Sequence, residues 1–377
     1  MDSAMENNIP VAGIFDGENN FGGRLWAQCS GARNLEIVAA VPQRMVERFN
    51  LHCGQEIYGK AGAARGGGRH PQLCFVDSVD GFNPIERQRF APFLRRTTVS
   101  PSQRLKTETD GGPLSTRIVD MFAPIGKGQR GLIVAPPKAG KTILLQQIAK
   151  GISANNPKCH LLILLVDERP EEVTEFRRAI DAELFASSND EPMENHVRVA
   201  QLAFNRAKCL AETGRDVVVL LDSMTRLARA CNGTIFGSGR TLSGGLDSLA
   251  MEKPRQLFAL ARATEESGSL TTIATILVET GSRMDDLIFQ EFKGTGNMEI
   301  VLDRRASEQR LFPAINLQAT GTRREELLLS QREIDAAQIM RRAAASGKPE
   351  SVLTTLFERM EKTKNNGELV NLLASRQ

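Results

Sequence analysis

The chain has 377 residues, 41% hydrophobic and 25% charged, the composition of a globular protein with room for one large domain and one smaller one. A formal net charge of +3 excludes a global basic field, so any nucleic-acid site must be a local stripe. The six cysteines are scattered without a C-x-x-C pair, and no apolar run reaches membrane-spanning length behind the polar start "MDSAMENN". These features predict reduced thiols, no zinc site, no membrane span, no secretory signal and a cytoplasmic location.

Two regimes follow in chain order. Residues 9–82 carry short segments, "LEIVAAV", "QEIYGKAG" and "PQLCFVDSV", split by Gly and Asn clusters, which predict a small β module of five or so strands. Residues 83–116 are mostly polar with internal prolines and read as a linker. From 117 to 330 the apolar runs "GLIVAP", "HLLILLVDE", "DVVVLLDS", "LTTIATILVET" and "MEIVLD" predict strands buried on both faces. Helical patterns lie between them at 140–152, 171–180, 196–213, 224–231 and 253–266, so the fold class is α/β with a mainly parallel sheet. The tail, 331–377, is polar and helix-prone.

The stretch "APPKAGKT", 135–142, follows a strand pattern and opens a helix pattern, the context of a phosphate-binding loop. Ala135 stands where G-x-x-x-x-G-K-[ST] has its first Gly, a substitution that negative φ at a strand end tolerates. The backbone of Pro136, Pro137, Lys138, Ala139 and Gly140, running into the helix start at Ile143, is predicted to cradle phosphates. Lys141 is expected at the β- and γ-phosphates and Thr142 on Mg²⁺.

Two strand ends supply acids. Asp167 and Glu168 close "HLLILLVDE", and Asp222 closes "DVVVLLD". Carboxyl ends of parallel strands line the ligand crevice, so Asp222 is assigned to the metal through its water shell, and Glu168 to the attacking water. Either acid alone is as readily a helix cap; the upstream loop decides between the readings. Arg169, Arg226, Arg323 and Arg324 are candidates for the charge that gathers on a transferring phosphoryl group. Arg226 lies one helical turn past Asp222, whereas Arg323 is distant and acts only in trans, within an oligomer.

Together, "RGLIVAPPKAGKT", "VDERPEEVTE", "LLDSMTRLARA", "TLSGGLD", "EFKGTGNME" and "GTRREELL" resemble the bacterial transcription termination factor Rho family. The match is dense from about 113 to 328 and faint over the first module. The resemblance implies a RecA-like P-loop ATPase core, preceded by an OB-like (cold-shock-type) β-barrel that carries a primary RNA site. It implies a homohexamer that hydrolyses ATP with Mg²⁺ and threads RNA through its ring to release transcripts, with RNA polymerase or an elongation factor as further partner. By position, Lys138 matches a second loop lysine, Glu168 the catalytic glutamate, and Arg226 and Arg169 the arginines around the phosphates. Arg323 matches a finger given to the neighbouring subunit, and Phe312 the aromatic that stacks on adenine. Segment 237–245, with Arg240, Thr241, Ser243 and Gly244, matches one pore loop, and 281–286, with Arg283, matches the second; Lys293 is counted with the RNA contacts. Arg240 and Arg283 stand where the family more often has lysine, a change that alters the grip on phosphate while keeping the charge.

The front module departs from the family. A helical subdomain is expected before it, and here the β pattern starts near Ile9. The aromatic-rich strand is reduced to "NFGGRLW", with Phe21 kept, Gly23 at the second aromatic position, and alanine and His70 replacing tyrosines elsewhere. Phe21, Arg24 and Trp26 form a rearranged base platform on one reading, and Phe21 and Trp26 fill a small core on the other. Two functions remain: an ATP-driven RNA translocase, or a Rho paralogue that acts as an ATP-gated RNA- or protein-binding regulator with little unwinding. A rotary ATPase subunit, the third alternative, has other words where "DERPEEV" stands.

Overall fold

Alternation of inward apolar and outward polar side chains closes the front of the chain into a barrel. Its elements are β1 (Ile9–Glu18), β2 (Gly22–Gln28), β3 (Leu35–Val41), the helix α1 (Gln43–Phe49), β4 (Glu56–Gly62) and β5 (Gln72–Val79). The strand order is β1-β2-β3-β5-β4, closed, around Phe15, Leu25, Ala39, Ile57, Leu73 and Val79. The computed structural model describes residues 8–18, 22–28, 35–64, 69–235, 243–346 and 349–374. Phe21, Arg240 and Thr241 lie outside the described residues.

The linker of the sequence reading is laid along the core. It contains α2 (Pro84–Arg87) and a short strand, β6 (Thr98–Val99), and α3 (Leu114–Phe122) begins inside it. The core continues as β7 (Arg130–Ala135), α4 (Lys141–Asn155), β8 (His160–Glu168), α5 (Pro170–Ala179), β9 (Glu183–Ser188), α6 (Met193–Glu212), β10 (Asp216–Asp222) and α7 (Met224–Thr234). Then come α8 (Glu252–Phe258), β11 (Arg262–Thr264), β12 (Ser269–Leu277), α9 (Arg283–Lys293), β13 (Met298–Val301), α10 (Arg304–Glu308) and β14 (Gly321–Thr322). Three helices close the chain, α11 (Gln331–Ser346), α12 (Pro349–Glu361) and α13 (Asn366–Ala374).

The sheet runs β14-β13-β7-β12-β10-β8-β9, and every neighbour from β13 to β9 is parallel. Apolar strands of this kind need helices on both faces, and the two large cores lie on the two sides of the sheet. The structure thus has the α/β fold and barrel module that the sequence predicts. The helix expected over 253–266 is shorter: α8 ends at Phe258, and Ala263 and Thr264 are drawn into antiparallel pairing with β6, while Arg262 and Ala263 pair with β12. Strand β9 was not among the expected runs, because its "ELFASS" ends in serines. Among the described residues no helix is long and apolar enough to cross a membrane.

Barrel and core meet through close backbone contact and a buried ion network. Gly54, at φ +96°, lies so near α6 that a Cβ there would sit 2.2 Å from the Asn205 carbonyl carbon. Beside it, Arg206 of α6 pairs with Asp80 at 3.1 Å, Glu56 at 2.8 Å and Glu183 at 3.2 Å. Arg87 completes the node with Asp80 at 2.8 Å and Glu212 at 2.8 Å. Removing one partner of such a node strands the opposing charges. Arg206→Ala is therefore expected to destabilise the protein by about 3–5 kcal/mol, seen as a lowered urea midpoint in Trp26 fluorescence; an unchanged midpoint refutes the role given to this node.

Candidate active site

The phosphate loop is set by strand β7 and the start of α4. Ala135 is the last residue of β7 and fully buried, pairing with Leu277 of β12. This position needs no glycine, which accounts for the departure from the usual motif. Gly140 is different: it caps α4 at φ +90°, a conformation that side chains with a Cβ rarely adopt. Lys138 also lies at positive φ, +65°. No side chain caps the N-terminus of α4, so its first N–H groups face the loop as an anion cradle.

Because the strands are parallel and in register, the acids arrive beside this loop. Asp222 ends β10 opposite Leu165 of β8. A bulge between Val166 and Glu168 turns Asp167 aside, with φ +56°, so that Val166 and Glu168 are both buried. Lys141 Nζ lies 2.7 Å from both Asp222 carboxylate oxygens and 3.5 Å from Glu168 Oε1. Thr142 Oγ1 is 3.4 Å from Asp222 Oδ2. Arg226, in the first turn of α7, places Nη2 3.2 Å from Glu168 Oε1. The five residues Lys141, Thr142, Glu168, Asp222 and Arg226 thus form one cluster.

Thr275 was missed by the sequence reading. Its hydroxyl, buried on β12 between β7 and β10, donates to Asp222 Oδ1 at 2.7 Å. The available signal was the run of hydroxyl residues in "SLTTIATIL", unusual in a strand buried on both faces.

Burial raises the Glu168 carboxyl from 4.5 to about 7, with the Asp222 charge adding to the rise and Lys141 and Arg226 opposing it. Its two oxygens are buried and receive no hydrogen bond among the described residues. The site fits Mg²⁺ chemically: a hydroxyl and a carboxylate, both hard oxygen donors, converge at Thr142 and Asp222, beside an acid with unsatisfied acceptors.

An apolar cavity of about 220 Å³ opens beside the loop, lined by Gly140, Ile143, Leu144, Gln147, Leu302 and Phe312, among others. Phe312 is 45% exposed there. A larger cavity, about 630 Å³, lies away from this chemistry, between the barrel and helices α5 and α6.

Other predicted residues fall elsewhere. Arg169 is exposed at the N-cap of α5, immediately after Glu168. Arg323 is exposed just past β14, its N–H bonded to Asn297 O at 2.9 Å. Met298 pairs with both Thr322 and Gly131, so Arg323 lies at the amino end of the sheet; the loop is roughly 13 Å farther along β7. Gly244 sits in a short turn at φ +80°, and a Cβ on it would meet Arg283 and Met284. Arg283 and Met284 are helical: Ser282 caps α9, so 281–286, expected as a loop, is helix from Arg283 on. Lys293 ends α9 and lies over the Phe289 ring at 5.6 Å. Arg24 is exposed on β2, whereas Trp26 is half-buried beneath the Arg198 guanidinium, 4.0 Å from its ring centre. The expected third member of that platform, Phe21, lies outside the described residues.

Residues 115–320 match the ATP synthase alpha/beta family, nucleotide-binding domain. The chain is 50% identical over 331 residues to transcription termination factor Rho of Pseudomonas aeruginosa, covering 87% of this chain and 79% of that one. It is 47% identical to the Rho of Streptomyces lividans over 96% of its own length, but spans only 51% of that relative. Among solved structures, an ATPase from the type III secretion system of pathogenic bacteria superposes with a TM-score of 0.60 at 26% identity, covering 77% of this chain and 80% of that one. An ATP synthase subunit of Nanoarcheaum equitans shares the fold at a TM-score of 0.59 and 18% identity, covering 74% and 78%.

The raised Glu168 pKa has a signed consequence. Unfolded, the carboxyl releases its proton near 4.5; folded, near 7. The native state therefore binds more protons in that window, and its stability falls as pH rises through it. In thermal unfolding without nucleotide, the wild type is expected to lose stability relative to Glu168→Gln between about pH 5 and about pH 8. A difference that stays constant with pH contradicts this.

Proposed function

The chain belongs to the transcription termination factor Rho family, and from that premise we propose that it is an ATP-hydrolysing RNA translocase that works as a hexameric ring. The observation that carries the reading is the cluster of Lys141, Thr142, Glu168, Asp222 and Arg226 at one set of strand ends. In this reading ATP sits with its phosphates in the loop 135–142 and its adenine against Phe312 in the apolar cavity. Thr142 and Asp222 would hold Mg²⁺, which would supply neutralisation of negative charge at the site. Lys141 and Arg226 stabilise the negative charge that gathers in the transition state. Glu168 takes a proton from water as its oxygen bonds to the γ-phosphorus and the bond to ADP breaks. A carboxyl titrating near neutrality is suited to that step.

Arg323 supports the ring. It stands at the sheet end opposite its own loop, out of reach of that loop's phosphates, so its charge is useful to a neighbouring subunit. Arg169, Arg240, Thr241, Ser243, Gly244, Arg283 and Lys293 complete the proposed phosphate and pore contacts.

Polypyrimidine RNA is expected to stimulate hydrolysis, the stimulation to fall steeply with salt, and Glu168→Ala to abolish turnover. Robust hydrolysis indifferent to RNA defeats the translocase reading. If stimulation occurs without strand separation on a primed RNA:DNA hybrid, the protein is instead an ATP-gated regulator. The ring has its own test. Lys141→Ala and Arg323→Ala are each expected to be inactive, and mixing the two to recover hydrolysis, because some interfaces then pair an intact lysine with an intact arginine. No recovery on mixing rules out an arginine supplied in trans.

A further inference from the structure

On the barrel, the outward residues of β4 and β5 depart from ordinary polar surface. Tyr58 is 44% exposed and Phe75 45%, on strands that pair with each other. Lys60 is directly opposite Phe75 and one outward position along β4 from Tyr58. Residues on either side of these, Ile57, Gly59 and Ala61, are buried, so Tyr58 and Lys60 share the outer face. Val76 packs against the barrel core, which leaves Phe75 pointing outward. Arg69 is exposed where the chain re-enters β5, beside the half-buried His70.

The Tyr58 ring is held in place. Its hydroxyl donates to Glu56 at 3.0 Å, and Glu56 is fixed in turn by Arg206. A bulge after Tyr58 shifts the β5 partner from Ser78 to Val76, so exposed Asp77 has no partner across the ladder.

We propose that the outer face of β4–β5, with Tyr58, Lys60 and Phe75, is a stacking surface for single-stranded RNA. Exposed aromatic rings flanking a cation suit this ligand, because rings stack bases and ammonium or guanidinium groups track phosphates. Asp77 repels phosphate but accepts from an exocyclic base amine, so that end of the patch meets bases rather than backbone. In the barrel order β1-β2-β3-β5-β4 this face lies across from β2, where Arg24 was expected to bind. The proposal rests on the RNA-dependent reading above and gives it an entry surface.

The test uses the full chain without nucleotide. Binding of fluorescent oligo-rU and oligo-dT is measured by anisotropy for wild type, Tyr58→Ala, Phe75→Ala and Lys60→Ala. Each aromatic removal is expected to weaken binding roughly 5- to 100-fold, and Lys60→Ala to reduce the salt slope by about 0.7. Loss on RNA alone or on both polymers supports the site. Crosslinks from 4-thiouridine RNA should fall within 56–79. Affinities within about twofold of wild type, with crosslinks only elsewhere, overturn it. In that case persisting RNA stimulation of ATPase leaves the translocase reading standing, so the two failures are told apart. Unchanged basal hydrolysis and Trp26 emission in the variants show that the fold is intact.

Discussion

The parallel sheet constrains everything chemical in this molecule. Strands β7, β12, β10 and β8 are buried on both faces and bonded in fixed register, with Ala135 opposite Leu277 and Asp222 opposite Leu165. A one-residue slip in any of them would turn every side chain over and move its terminal residue away from the crevice. The apolar runs therefore serve two ends. They drive burial, and they fix where the chain emerges, so the loop, Asp222 and Glu168 meet although 87 residues of sequence separate Ala135 from Asp222.

What gathers there is a charge problem with a chemical use. Glu168 and Asp222 are both buried and share one lysine, which lies closer to Asp222. Thr275 and Lys141 both donate to Asp222, while the Glu168 oxygens accept no hydrogen bond among the described residues. The two acids are thereby pushed apart in character: one is solvated by protein donors, the other is left protonatable near neutrality.

The nucleotide loop, the acid-bearing strand ends and the layer order were legible because each has a local signature: a Gly-Lys-Thr at a strand–helix junction, and apolar runs ending in Asp or Glu. Ala135 was legible as tolerable because only a strand-end φ was needed there. Thr275 was not, since its role exists only through a neighbour in the sheet that sequence order does not reveal. Strand β11 and the short α8 were hidden for the same reason: β6, more than 160 residues earlier, captures 263–264 by pairing. The Arg206–Asp80 node joins residues 126 apart and likewise has no local sign.

The barrel obeys a different logic from the core. Its inward residues are fixed by packing around Phe15, Leu25 and Ile57, and its seam by Gly54 and Arg206. Its exposed outward residues, away from the seam with the core, pack less, so exchanging one for another costs the fold little. Stacking requires only an exposed ring near a cation, and any outward pair on adjacent strands can provide it. Aromatics can thus be lost from one face and gained on another without disturbing the barrel. The cluster at the strand ends has less freedom, because Glu168 and Asp222 are placed by strand register. The core can therefore hold its cluster fixed while the barrel's outer face varies, with Gly23 on β2 and Tyr58 and Phe75 exposed on β4 and β5.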